Sequence, residues 1–147
     1  MHRKVAAALV AALALAVASC GGSEETLTGA QLVRRIETAC KEGQREGSKK
    51  ARAARGSQDQ ATFIEALLVG QRTELDALDD VNTTGAAKAD FEAFKTGVQA
   101  RIDAIERVTS ADRADFERAL RAAQGPATAA TRRVEAAARS LGVEGCQ

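Results

Sequence analysis

The 147-residue sequence contains no tryptophan, no tyrosine and only four phenylalanines. Single-stranded nucleic acid is bound by stacking bases on aromatic rings in a basic groove. With few rings and a formal net charge of +1, the chain has neither element, and nucleic acid is not expected as a partner. Sugar sites also commonly offer aromatic platforms, which argues against a glycosidase built on paired carboxylates. Histidine occurs once, as His2. A domain further along the chain therefore lacks the usual general base and the commonest transition-metal ligand. Ser–His and Cys–His nucleophile pairs are excluded from it, as is the Glu-x-x-His motif of di-iron bundles. No enzyme activity and no cofactor are expected. Proline occurs once, at Pro126, and Val, Ile and Thr form no alternating strand-like runs. Ala, Leu, Arg, Glu and Gln dominate instead, all good helix formers.

The N-terminus is of a different kind. His2, Arg3 and Lys4 precede an unbroken apolar run from Val5 to Ala18. At 14 residues it is short of the ~20 that span a bilayer as a helix. A basic start, a short apolar run and a small-residue exit read as a secretory signal peptide. The exit, Val17-Ala18-Ser19-Cys20, resembles the lipobox of bacterial lipoproteins: an aliphatic residue, two small residues, then cysteine. The resemblance implies diacylglyceryl transfer to the Cys20 sulfur and cleavage before Cys20. The mature chain would then hang by acyl chains such as palmitate from the extracytoplasmic face of the cell membrane. Each buried CH₂ contributes about 0.8 kcal/mol, so two or three chains hold where one does not. Gly21 stands where an Asp commonly retains such proteins at the inner membrane of a two-membrane cell. The expected division is residues 1–19 as removed signal peptide, 20–27 as lipidated cysteine and flexible polar tether, and 28–147 as a helical domain. Loss of Arg3 and Lys4 leaves that mature chain 19 basic against 20 acidic residues.

Cysteine parity fits this reading. Of three cysteines, a lipid on Cys20 leaves Cys40 and Cys146 as an even pair in an oxidising compartment. A Cys40–Cys146 disulfide is expected. In the chain-entropy model, closing a loop of ~100 residues stabilises by roughly 4–5 kcal/mol.

Four amphipathic segments follow. Thr28-Gly29-Ala30-Gln31 fits a capping box, with Leu27 and Leu32 placed as a hydrophobic staple. The stripe of the first helix runs Leu32, Val33, Ile36, Cys40, Gly43, Gly47, Ala51. Its second half is small, which permits close approach of another backbone. Lys49, Lys50, Arg52 and Arg55 crowd its last turns, where cations suit the helix dipole; contact with anionic head groups is the sharper alternative. Ser57-Gln58-Asp59-Gln60 is a second capping box. The second helix carries Phe63, Ile64, Leu67, Leu68, Leu75, Leu78 and Val81 along one side and stops near Asp79-Asp80. Its acidic end, Glu74, Asp76, Asp79 and Asp80, does not have EF-hand spacing, and no metal is assigned to it. A turn at Asn82–Gly85 leads to the third helix, with Ala87, Phe91, Phe94, Val98, Ile102, Ile105 and Val108 on one face. Ser110 is read as the N-cap of the fourth helix, with Asp112 in its first turn. Phe116, Leu120, Ala123, Ala127, Val134 and Leu141 form that helix's stripe. Pro126 predicts a kink or short break, and Gly142 a C-cap.

Short links between four amphipathic helices predict an all-α, antiparallel four-helix bundle. The first and last helices become neighbours, and the tail reaches Cys40. The layout resembles small exported four-helix proteins of high-GC Gram-positive bacteria, with one cysteine in the first helix and a terminal Gly142-Val143-Glu144-Gly145-Cys146. Such proteins mostly lack an assigned activity.

Gly43, Gly70, Gly97 and Gly125 each fall near the middle of a helix. Close helix packing is the preferred reading, since only Gly43 lies on its own apolar stripe. The alternative is a hollow lined by Phe63, Leu67, Phe94, Val98 and Ile102, suited to an apolar ligand. Two functions therefore stand. One is a lipid-anchored, non-catalytic structural or interaction module with an envelope protein partner. The other is a carrier for an apolar, lipid-like ligand.

Overall fold

A computed structural model describes residues 25–55 and 60–146. The signal segment, Cys20, the first part of the tether and Ser57–Asp59 of the second capping box lie outside the described residues. The element order is β1 (Glu25–Leu27), α1 (Gly29–Ala54), α2 (Gln60–Asp76), β2 (Val81–Thr83), α3 (Ala87–Thr109) and α4 (Phe116–Leu141). The fold is an all-α four-helix bundle, with one short strand pair among the described residues.

That strand pair corrects two expectations. Glu25–Leu27 is not free tether, and Val81–Thr83 is a strand, where Val81 is expected on the second helix and Asn82-Thr83 in the turn. They pair in parallel, with Glu25 opposite Val81 and Leu27 opposite Thr83. Leu27 and Val81 bury their side chains in the core. A parallel pair needs a long crossover, and here α1 and α2 together supply it. Three residues are too few to show a period of two in the sequence, so the pairing depends on tertiary proximity.

The helices pack α1 on α2, α2 on α3 and α3 on α4. α3 buries Phe91, Phe94, Gly97, Val98, Ile102 and Val108, the face its periodicity predicts. Phe91, Phe94 and Val98 are fully enclosed and meet Leu32 and Ile36 of α1 and Val134 of α4 in the main core. A smaller cluster joins Ile64, Ala104, Val108 and Ala123.

α2 departs from its expected stripe. Ile64, Ala66, Leu68, Gly70 and Glu74 are buried, whereas Phe63 and Leu67 are exposed. Successive positions two apart on a helix point to nearly opposite sides. α2 is thus covered on two faces, Ala66 and Gly70 against α1 and Ile64 toward the α3–α4 cluster. Phe63 and Leu67 lie on the remaining surface.

The helix ends differ in part. Thr28 is the N-cap of α1 in extended backbone, but its hydroxyl makes no capping bond. α2 ends at Asp76 rather than Asp79-Asp80, and hydrogen-bonded turns carry the chain on through Asp80. Ser110 closes α3 instead of opening α4: its amide still donates to the Glu106 carbonyl at 2.9 Å. α4 begins five residues later than Ala111, after a turn over Asp112–Asp115. It runs through Pro126 without a break. Pro126 and its neighbours Gln124 and Gly125 are exposed, so water can serve the carbonyl that the missing amide leaves free. Gly142 is the expected cap, at φ 76°. The Val143 amide donates to Ala138 O at 2.8 Å and the Gly142 amide to Arg139 O at 3.1 Å, the double closure of a Schellman motif.

Candidate functional site

The small half of the α1 stripe brings α2 in close. A Cβ on Gly43 would stand 2.6 Å from the Gly70 carbonyl oxygen and 3.0 Å from Glu74 Cβ. Only glycine at both crossing positions permits this contact. A Cβ on Gly97 of α3 would stand 2.7 Å from a side-chain methyl of Val134 of α4 and 3.2 Å from its backbone nitrogen. Gly70 and Gly97 are therefore packing positions, not flank positions as their helical wheels suggest. Gly125 has nothing within 4 Å of an added Cβ, in keeping with its outward orientation. Three of the four mid-helix glycines close the bundle; they do not form a hollow waist.

One turn after Gly70, Glu74 inherits the same inward direction. Its side chain is 7% exposed. Arg101 of α3 donates to Glu74 Oε2 at 3.4 Å, and Gln71 Nε2 donates to the same oxygen at 3.4 Å. Glu74 Oε1 lies 3.3 Å from Cys40 Sγ. Cys40 is joined to Cys146, with Cα atoms 5.3 Å apart, as cysteine parity predicts. A disulfide sulfur carries no proton, so any hydrogen in the Glu74–Cys40 contact must come from the carboxyl group.

The electrostatics follow from burial. Loss of water holds the Glu74 carboxyl above its ordinary pKa, and the Arg101 charge pulls the other way without restoring it. Arg101 is itself lowered by burial, with Glu74 and Glu135 opposing. The pair is imperfectly satisfied. Arg101 Nε and Gln71 Oε1 are buried without a hydrogen-bond partner, and both residues line a cleft of about 290 Å³ that also reaches Gly43, Glu74, Cys40 and Cys146. A broader groove between α2 and α3 is lined by charges, of which Arg72 and Glu106 already pair with each other.

The remaining candidates are placed as follows. Phe94, Val98 and Ile102 belong to the packed core, while Phe63 and Leu67 face outward; the five do not share one lining. Of the acidic end, Glu74 turns in and Asp76, Asp79 and Asp80 stay exposed. Lys49, Lys50, Arg52 and Arg55 are exposed at the end of α1. The sulfurs of Cys40 and Cys146 and a Glu74 oxygen lie within 4.8 Å of one another. A disulfide offers no thiolate, so in this state the three are not a metal-ligand set. Among the described residues no helix is long and apolar enough to cross a membrane.

Comparison with protein-family models, with curated proteins and with solved structures gives no match. The site rests on its own geometry. Sequence reasoning passed over Arg101 and Gln71 and read Glu74 only as part of the acidic end of the second helix. The available signal was Glu74's position four residues after Gly70, on the face that must meet α1.

Proposed function

We propose that this is a lipid-anchored module on the extracytoplasmic face of the cell membrane, non-catalytic, acting through protein contacts or as a structural element of the envelope. The observation that carries it is the Cys40–Cys146 disulfide. It accounts for two of the three cysteines and leaves Cys20, within the lipobox-like Val17-Ala18-Ser19-Cys20, free to take lipid. A disulfide also suits an oxidising compartment outside the cytoplasm. Along α1 and α2, rising numbers meet falling ones, Gly43 against Gly70 and Gly47 against Ala66. That supports an up-down order of helices, with short connections and one rigid body above the anchor.

The apolar-carrier reading has less behind it. Its lining residues divide between the solid core and the surface. An exposed α2 face bearing Phe63 and Leu67 is instead compatible with a partner protein.

The test is Cys20→Ala in the exported full-length chain. The expected result is an unprocessed precursor or a protein released from membranes, with loss of detergent-phase partitioning. Unchanged mature size and membrane retention would defeat the anchor.

A further inference from the structure

Glu74 is the one charged side chain that is fully buried among the described residues, and neither anchoring nor surface contact uses it. It stands between a cation and a disulfide, 3.4 Å from Arg101 and 3.3 Å from Cys40 Sγ. The two sulfurs are not equivalent. Cys40 is 3% exposed on the rigid α1 helix. Cys146 is half-buried on the short tail beyond Gly142. Both line the cleft of about 290 Å³, together with Gln71 and Arg101.

We propose that this cleft is a thiol–disulfide exchange site for a small dithiol, with Cys146 as the attacked sulfur, Cys40 as the leaving sulfur and Glu74 as its proton donor. A thiolate of the dithiol attacks Cys146 Sγ. The Cys40–Cys146 bond breaks, and its electron pair departs on Cys40 Sγ. The Glu74 carboxyl gives that sulfur its proton, and Arg101 balances the carboxylate left behind. The second thiol of the reductant loses its proton to solvent and displaces Cys146 from the mixed disulfide. Cys146 and Glu74 are reprotonated from water. The dithiol is oxidised by two electrons, and the protein disulfide becomes two thiols. Opening removes the covalent tie between Cys146 and α1, so the site couples a reductant to the release of residues 144–146, while Val143 stays in the core. This step does not depend on the anchor.

The environment favours the role. Burial holds the carboxyl in its protonated form to higher pH than usual. The groups facing it are Cys40 from α1, Gln71 from α2, Arg101 from α3 and Cys146 from the tail. Glu135 of α4 acts on Arg101, and Glu37 of α1 flanks the tail at Gly145. When ionised, Glu74 repels the negative charge that grows on Cys40. When protonated, it neutralises it.

The experiment measures the second-order rate of disulfide opening by dithiothreitol in the full-length exported protein and its Glu74→Gln variant, with alkylation and mass readout. Taking the ratio of wild type to variant cancels the titration of the reductant. The ratio is expected to fall about tenfold as pH rises through the titration of the buried carboxyl, a modest general-acid effect; a ratio constant with pH overturns the proposal. Arg101→Gln keeps the carboxyl and removes the opposing cation, so its profile is expected to shift to higher pH, and an unshifted profile overturns the proposal even where Glu74→Gln fails to fold. With glutathione as a one-thiol probe, the trapped adduct is expected on Cys146. An adduct on Cys40 would reverse the assigned direction.

Discussion

Gly43 and Gly70 meet backbone against backbone: a Cβ added to Gly43 would lie 2.6 Å from the Gly70 carbonyl oxygen, and one added to Gly70 would lie 2.8 Å from that of Gly43. This approach sets Glu74 of α2 beside Cys40 of α1. Gly43→Ala and Gly70→Ala must each push the helices apart, and each is expected to cost about 1–3 kcal/mol by overpacking. The two sites touch, so the double variant will not be the sum. Urea unfolding followed by far-ultraviolet circular dichroism is the suitable measurement, since the chain has no Trp or Tyr. Unchanged midpoints would contradict the close crossing.

The Glu74–Arg101 pair makes stability depend on pH with a definite sign. The folded carboxyl is raised above its ordinary value of 4.5, chiefly by burial. The native state therefore holds this proton more tightly than the unfolded chain. The group's contribution is fully present below the unfolded pKa and is lost as pH rises through the folded one. Arg101→Met leaves the carboxylate buried and unpaired, which is expected to cost about 3 kcal/mol at neutral pH and less in acid. Glu74→Gln is expected to flatten the profile across the same window. Unfolding free energies of the three proteins between pH 4 and pH 8 check this, and parallel curves for wild type and Arg101→Met would refute it.

Phe94 and Phe63 look alike in the sequence, each on an apolar helical stripe, but not in the fold. Phe94 is completely enclosed, and Phe63 is 53% exposed. Phe94→Ala is expected to cost about 3–5 kcal/mol, and Phe63→Ala to stay within about 0.5 kcal/mol. Chemical denaturation of both variants separates them. A large loss at Phe63 would mean that α2 is covered on a third side.

The readings that succeeded concern signals several turns long or a single residue with one conformational solution. α3 shows a 3.6-residue repeat through Phe91, Phe94, Val98, Ile102 and Val108, and that face is buried. Gly142 ends α4 because only a residue at ease at positive φ can make the cap. The readings that failed concern shared surfaces. α2 packs on two neighbours, so its small residues Ala66 and Gly70 were buried in preference to Phe63 and Leu67. Which faces are covered depends on the other helices. Ser110 has the chemistry of an N-cap, yet its amide completes the last turn of α3; capping preference is worth only about 1 kcal/mol and yields to the path of the chain.

Composition alone determined that the domain is helical and that residues 20–147 contain no histidine, and cysteine parity predicted the Cys40–Cys146 pair. These are local or counting properties, legible without coordinates. Tertiary structure decided the parallel pairing of Glu25–Leu27 with Val81–Thr83 and the meeting of Glu74, Arg101 and the disulfide. The residues involved come from α1, α2, α3 and the C-terminal tail and are up to 106 positions apart. No periodicity links them; the Gly43–Gly70 crossing sets α1 on α2, the packing of α3 on α2 adds Arg101, and the tail adds Cys146.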